Sequence, residues 1–185
     1  MAFWSEAITT DPRRQHRWIV SISGISGLSG QIAYIAKKVT KPKITDNSAE
    51  HKFLNHTFYF PGNVTYDPVT LTLSDPINPN SSAALYTLLQ ESGYVKPSAI
   101  DSSVGPGDMA ATVSKRLGTA AMGDVKIKQL DGDGNIQDIM ILHNPWVESV
   151  DFGGELSYEA DALVDITMTI RYDWFSMEYS QAPTK

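Results

Sequence analysis

Residues 69–74 read Val-Thr-Leu-Thr-Leu-Ser, and their strict alternation decides the fold. In an extended chain successive side chains point to opposite faces, so Val69, Leu71 and Leu73 share a dry side and Thr70, Thr72 and Ser74 a wet one. A strand with one face for a core and one for water belongs to an antiparallel sheet. Upstream, His56-Thr57-Phe58-Tyr59-Phe60 has strand character and leads into Pro61-Gly62, a turn signal. Downstream, Ser81 or Ser82 is placed to cap a helix over Ala83 to Glu91, with Leu85, Leu88 and Leu89 on one face and Gly93 beyond its end.

The same period recurs on both sides. Trp18 to Ser23 reads as a first strand, punctuated by the Gly/Ser run from Gly24 to Gly30. Gln31 to Thr45 reads as a second extended segment, in which Pro42 points to an edge or an arm. Val125 to Leu130 and Ile136 to His143 flank Asp-Gly-Asp-Gly-Asn at 131–135 and form a predicted β-hairpin. A final strand over Val164 to Asp173 sets Ile166, Met168, Ile170 and Tyr172 against Asp165, Thr167, Thr169 and Arg171. Residues 93–123 are small and turn-rich, an expected surface excursion with one short helix near Met109 to Leu117. The chain shows no internal repeat and no dividing linker. The expectation is one domain over 1–185: a mainly β, antiparallel β-sandwich or partial barrel with one main α-helix, an extended arm at about 37–55 and an excursion at about 93–123.

At 185 residues with 42% hydrophobic side chains, the chain is long enough to bury a core and too apolar for bulk disorder. It has no cysteine, which excludes disulfides, thiolate nucleophiles and cysteine-ligated metals. No apolar run is long enough to span a bilayer, and the first residues lack the order of a signal peptide, so a soluble protein is expected. The net charge of −6 conceals a polarity: residues 1–130 carry 13 Lys/Arg against 10 Asp/Glu, and residues 131–185 carry 2 against 11. The tight basic clusters are Arg13, Arg14 and Arg17, then Lys37, Lys38, Lys41 and Lys43. This layout suits a basic region meeting acidic partners or another copy of the chain, and it disfavours a general nucleic-acid groove.

Motifs for chemistry dissolve on inspection. Asp131-Gly-Asp-Gly-Asn135 resembles the start of a calcium loop, but Ile136 stands where the turning glycine is needed and Leu142 where the bidentate Glu is needed. Gly118 to Gly123 has the two glycines of a phosphate loop, yet Asp124 replaces its lysine. His16, His51, His56 and His143 have no metal-ligand spacing. The carboxylate pairs Glu159 with Asp161, and Asp165 with Asp173, would support acid–base work only if a closed site brought them together. No cofactor, metal or catalytic residue is expected, and the chain is not read as an enzyme.

The order of features resembles the tail tube proteins of contractile-tailed bacteriophages, a family related in fold to the tubes of type VI secretion and extracellular injection systems. Arg17 to Ser23, with the turn and Gln31 to Thr45 after it, is similar to that family's opening strands and arm. Phe60 to Asp75, Phe-Pro-Gly-Asn-Val-Thr-Tyr-Asp-Pro-Val-Thr-Leu-Thr-Leu-Ser-Asp, is similar to its central strand leading into a helix. Val125 to Leu130, Ile136 to Leu142, Asn144 to Val147 and Asp165 to Trp174 resemble its closing strands. Residues 93–123 depart from the pattern.

The resemblance implies a structural virion protein whose hexameric rings, each with a continuous inner β-barrel, stack into the inner tail tube. Double-stranded DNA would pass through the lumen, without specific binding, during ejection into the host. A sheath would lie outside and a baseplate and terminator at the ends, with no membrane involved. The particle would be assembled in the host cytoplasm and located in the virion tail. Thr70, Thr72 and Ser74, or Asp165, Thr167 and Thr169, are the candidate lumen-facing rows. Lys37, Lys38, Lys41 and Lys43 are candidates to meet Glu155, Glu159 or Asp161 of a neighbouring subunit. The alternatives are an injection-system tube carrying protein effectors, a single-ring cap or baseplate relative, and a calcium-dependent carbohydrate-binding β-sandwich that would use residues 131–135.

Overall fold

Among the described residues, eight of ten strands form two four-stranded antiparallel sheets with a shared apolar interior, and the other two form a separate hairpin. The computed structural model describes residues 12–25, 28, 30–95, 112–159 and 161–179. In chain order the elements are β1 (Trp18–Ile22), α1 (Ile32–Ile35), β2 (Ala36–Val39), β3 (Lys43–Phe53), β4 (His56–Asp67), β5 (Val69–Ser74) and α2 (Ser81–Glu91). There follow α3 (Lys115–Met122), β6 (Val125–Leu130), β7 (Ile136–His143), β8 (Trp146–Asp151), β9 (Asp165–Arg171) and β10 (Trp174–Tyr179). The first sheet has the order β1-β6-β7-β10, the second β2-β5-β9-β8, and β3-β4 stands apart. Among the described residues neither sheet closes on itself.

The alternation read from residues 69–74 does what it dictates. Val69, Leu71 and Leu73 are buried and lie opposite Ile170, Met168 and Ile166 of β9, themselves inaccessible to solvent. From the other sheet, Val20, Ile22, Val125, Ile127, Met140 and Leu142 close the core. Each such aliphatic side chain contributes about 1.5–3 kcal/mol on burial, so the sandwich holds without cross-links.

Several boundaries differ from the sequence reading. Gln31 to Thr45 is not one extended run: the single turn α1 interrupts it, because Ile32 and Ile35, three apart, both reach the core. Pro61-Gly62 does not end a strand. β4 runs through it to Asp67, and a bulge in β4, where Gly62 and Asn63 face the single Asn47 of β3, accommodates the step. Helix α2 is capped by Asn80, whose side chain accepts from the Ala83 N–H at 2.8 Å. Ser82 instead bonds Asp75, donating its hydroxyl to Oδ2 at 2.7 Å. The short helix expected near Met109 to Leu117 lies at Lys115–Met122, capped by Ser114, and residues 96–111 of the excursion fall outside the described residues. After β9 the chain does not finish: Tyr172-Asp173 carries it across to the first sheet, where β10 pairs with β7.

Candidate assembly interface

Thr70, Thr72 and Ser74 were one candidate row and Asp165, Thr167 and Thr169 the other; the register makes them a single surface. Thr70 lies opposite Thr169, Thr72 opposite Thr167 and Ser74 opposite Asp165. Directly opposed residues of an antiparallel pair point to the same side, so these six share the face turned away from the core. Strand β8 extends it with Ser149 opposite Thr169 and Asp151 opposite Thr167, and β2 adds Lys38 opposite Thr72. Most of its charges are paired, Lys38 and Asp151 at the two edges being the exceptions among the described residues. Lys37 holds Asp165 at 2.5 Å, and Arg171 holds Glu148 at 2.6 Å, which pushes the guanidinium pKa up. The wall is hydroxyl-rich and charge-compensated rather than acidic.

Both edges of this sheet are open among the described residues, and they differ in sign. Edge strand β2 carries Lys37 and Lys38, and edge strand β8 carries Glu148 and Asp151. Beyond β8 the chain enters an exposed loop containing Glu155, Leu156, Tyr158, Glu159 and Asp161, with Leu156 and Tyr158 almost fully in solvent.

The four lysines fare unequally. Lys37 is held by Asp165, Lys43 by Asp67 at 2.9 Å, and Lys41 donates to the neutral Gln129 Oε1 at 2.6 Å. Lys38 has no side-chain partner among the described residues. Lys37, Lys38 and Lys41 line a cleft of about 540 Å³ together with Arg13, Arg14 and Arg17, so the two basic clusters of the sequence come together in space. Arg13 anchors the floor by pairing with Asp138, a carboxylate only 2% exposed. None of the four lysines reaches Glu155, Glu159 or Asp161 in the same chain, because the acidic loop follows β8, at the opposite edge from β2.

The arm is a hairpin. β3 and β4 pair over Lys43 to Phe53 and His56 to Asp67 and pack chiefly on each other. Ala49 lies opposite Phe60, His51 opposite Phe58 and Phe53 opposite His56, which collects three phenylalanines and two histidines on one side. Phe53, Phe58 and Phe60 are at least half exposed, and Glu50, Lys52 and Thr57 take the other side. This apolar row was not singled out in the sequence, although Phe58-Tyr-Phe60 and His51-Lys-Phe53 carry its alternation.

The chemical motifs find structural uses. Both Asp131 oxygens accept from N–H donors: the backbone of Asp133 and Asn135, and the side chains of Asn135 and Gln137. The bond from the Asn135 backbone leads in holding this carboxyl below the usual range, and the lone pairs a cation would need are committed to closing the β6–β7 turn. Gly118 lies inside α3, against Trp146, not in a phosphate loop. His143 stacks on Trp174 at 4.9 Å and shares a 2.8 Å hydrogen bond with Ser176. Asp165 and Asp173 do not converge: they flank β9 at its two ends, Asp173 being bound by Lys115 and Asn144. Those bonds, Lys115 first, lower its pKa.

No family model and no curated protein matches the chain by sequence. Solved structures do match by shape. The chain is similar to one from the anti-feeding prophage tube-terminating cap, with a TM-score of 0.64 and 14% identity over 97% of this chain and 100% of that one. It is similar to a chain of the anti-feeding prophage baseplate at a TM-score of 0.62 and 13% identity, covering 94% and 99% of the two. A third likeness is to a chain of the sheath–tube complex of an extracellular contractile injection system in its extended state, at 0.61 and 15%, covering 97% and 99%. The fold expected from the resemblance to tube proteins is therefore the fold observed.

Proposed function

We propose that the protein is a structural subunit whose copies close into a ring and stack into the tube of a contractile particle. The observation that carries this is the β2-β5-β9-β8 sheet, with a polar outer face and two open edges of opposite charge. Open edges offer unpaired backbone groups, and burying them against another chain removes the liability. Because the edges differ, like cannot pair with like: the β2 edge of one copy meets the β8 edge of the next, and such a heterologous contact closes into a ring. In a ring of six the hydroxyl-bearing face of Thr70, Thr72, Ser74, Asp165, Thr167 and Thr169 becomes the inner wall. The β3–β4 hairpin, marginal as an isolated two-stranded element, docks its phenylalanine face on a neighbouring copy.

The cargo follows from this wall. A charge-compensated hydroxyl surface holds neither sign tightly, which suits passage of double-stranded DNA in a virion tail without specific binding and equally suits protein effectors. The likeness in fold to chains of an extracellular contractile injection system and of the anti-feeding prophage supports the injection-system alternative. In both cases function resides in assembly rather than catalysis, with a sheath outside and terminating proteins at the ends. Negative-stain microscopy of concentrated purified protein tests the reading. Hollow rods built of six-fold rings are expected; single rings that never stack would indicate a cap, and a persistent monomer would overturn the proposal.

A further inference from the structure

We infer that the acidic β8–β9 loop of one copy seats in the basic cleft of the next and latches the seam between them. This assignment depends on the ring closure proposed above and names the contact that fixes its direction. The cleft and the loop are complementary in charge and displaced from each other in space. Arg13, Arg14, Arg17, Lys38 and Lys41 line a concavity walled by β2 of one sheet and by β1 and β6 of the other, on a chain whose net charge is −6. The cations the cleft leaves for a partner are its lysines. Arg13 is matched by Asp138, but Lys41 is held only by a neutral amide, and Lys38 and Lys128 have no partner among the described residues.

The loop presents the converse. Glu155, Glu159 and Asp161 are exposed, and Leu156, Tyr158 and Leu163 stand between and beside them, 81%, 112% and 74% exposed. A segment so acidic and so apolar has its side chains in water for want of a surface within its own chain. It does not lie on the cleft it would fit: the sheet order sets β2 and β8 at opposite edges, three strand spacings or about 14 Å apart. When the β2 edge of one copy meets the β8 edge of the next, the loop that follows β8 arrives beside the cleft that β2 lines. Carboxylates then meet the Lys38, Lys41 and Lys128 ammonium groups, and Leu156 and Tyr158 lose their exposed area against the Trp18 side of the cleft.

Two measurements test the latch. In the first, Lys38→Glu with Lys128→Glu and Glu155→Lys with Glu159→Lys and Asp161→Lys are made as two separate proteins. Each alone is expected to need a concentration roughly tenfold higher or more to form rods. An equimolar mixture is expected to assemble at the parent's concentration, since each basic loop then finds an acidic cleft and each acidic loop a basic one. Recovery in the mixture also shows that neither protein is misfolded. In the second, Lys38→Cys and Glu159→Cys are combined in this cysteine-free chain and treated with a short bismaleimide, which is expected to give a ladder of covalent dimers, trimers and higher multiples. Rods from each charge-reversed protein alone at the parent's concentration, or intact rods of the double-cysteine protein without a ladder, overturn the latch and leave the ring standing. A parent that never assembles overturns both.

Discussion

Gly24 shows how much one residue can decide. A Cβ there would lie 1.9 Å from the Ala121 carbonyl oxygen and 2.5 Å from the Met122 carbonyl carbon, so the first glycine of the Gly24–Gly30 run is where the loop after β1 passes the end of α3. Gly24→Ala is expected to cost about 1–3 kcal/mol by forcing that backbone apart, read as a shifted urea midpoint. Met168, inaccessible between the sheets, marks the other kind of dependence: Met168→Ala is expected to lose about 2–5 kcal/mol to a cavity. Asp173 adds a pH dependence. Its native pKa lies below its ordinary value of 3.8, so its contribution is present above the unfolded value and is lost as pH falls through the lower native one. The Lys115–Asp173 pair is more than one-third exposed on both sides, and solvent screening keeps that contribution small. Thermal scans between about pH 4.5 and 2 should show a shallower acid-side decline for Asp173→Asn than for the parent.

The hairpin and the polar wall make their predictions as elements. Phe58→Ser with Phe60→Ser removes apolar side chains that are about half in water and lie outside the core, so the melting temperature of the monomer should move little while rod yield collapses. Equal losses of both would mean that the hairpin belongs to its own chain's fold. Thr167→Cys, the only thiol in such a chain, should react with a bulky maleimide in the monomer and be shielded in the rod; equal labelling would remove this face from the bore. What the sequence disclosed at this scale was whatever alternates. β5, β9 and the β6–β7 hairpin were legible because a period of two separates core from solvent within six residues. The turn α1 was not, since Ile32 and Ile35 share a spacing that only the position of β1 turns into a burial pattern. The Asn80 cap was missed because three consecutive oxygen-bearing side chains offered themselves and Asp75, five positions before Asn80, had already engaged Ser82. That the two hydroxyl rows are one surface depends on strands 95 residues apart in sequence being neighbours, which no local pattern encodes.

At the scale of the whole molecule, contacts between unlike charges should weaken with screening. Raising salt from about 0.1 M to about 1 M shortens the Debye length from roughly 10 Å to 3 Å, and the concentration needed for rod formation should rise with it. Assembly indifferent to salt would assign the contact energy to the phenylalanine face alone. The polarity of the chain, basic before residue 130 and acidic after, announced unlike surfaces, but their location needed the fold: β2 and β8 come from its two halves and become the two margins of one sheet. A building block with unlike margins has no twofold way to satisfy itself, so a pair of copies always leaves one of each margin bare. Stalled dimers gain little over lone molecules, and intermediates of every size stay hungry until the last seam shuts. Under the proposed closure, such a protein would pass abruptly from separate molecules to closed rings once its concentration crosses a threshold.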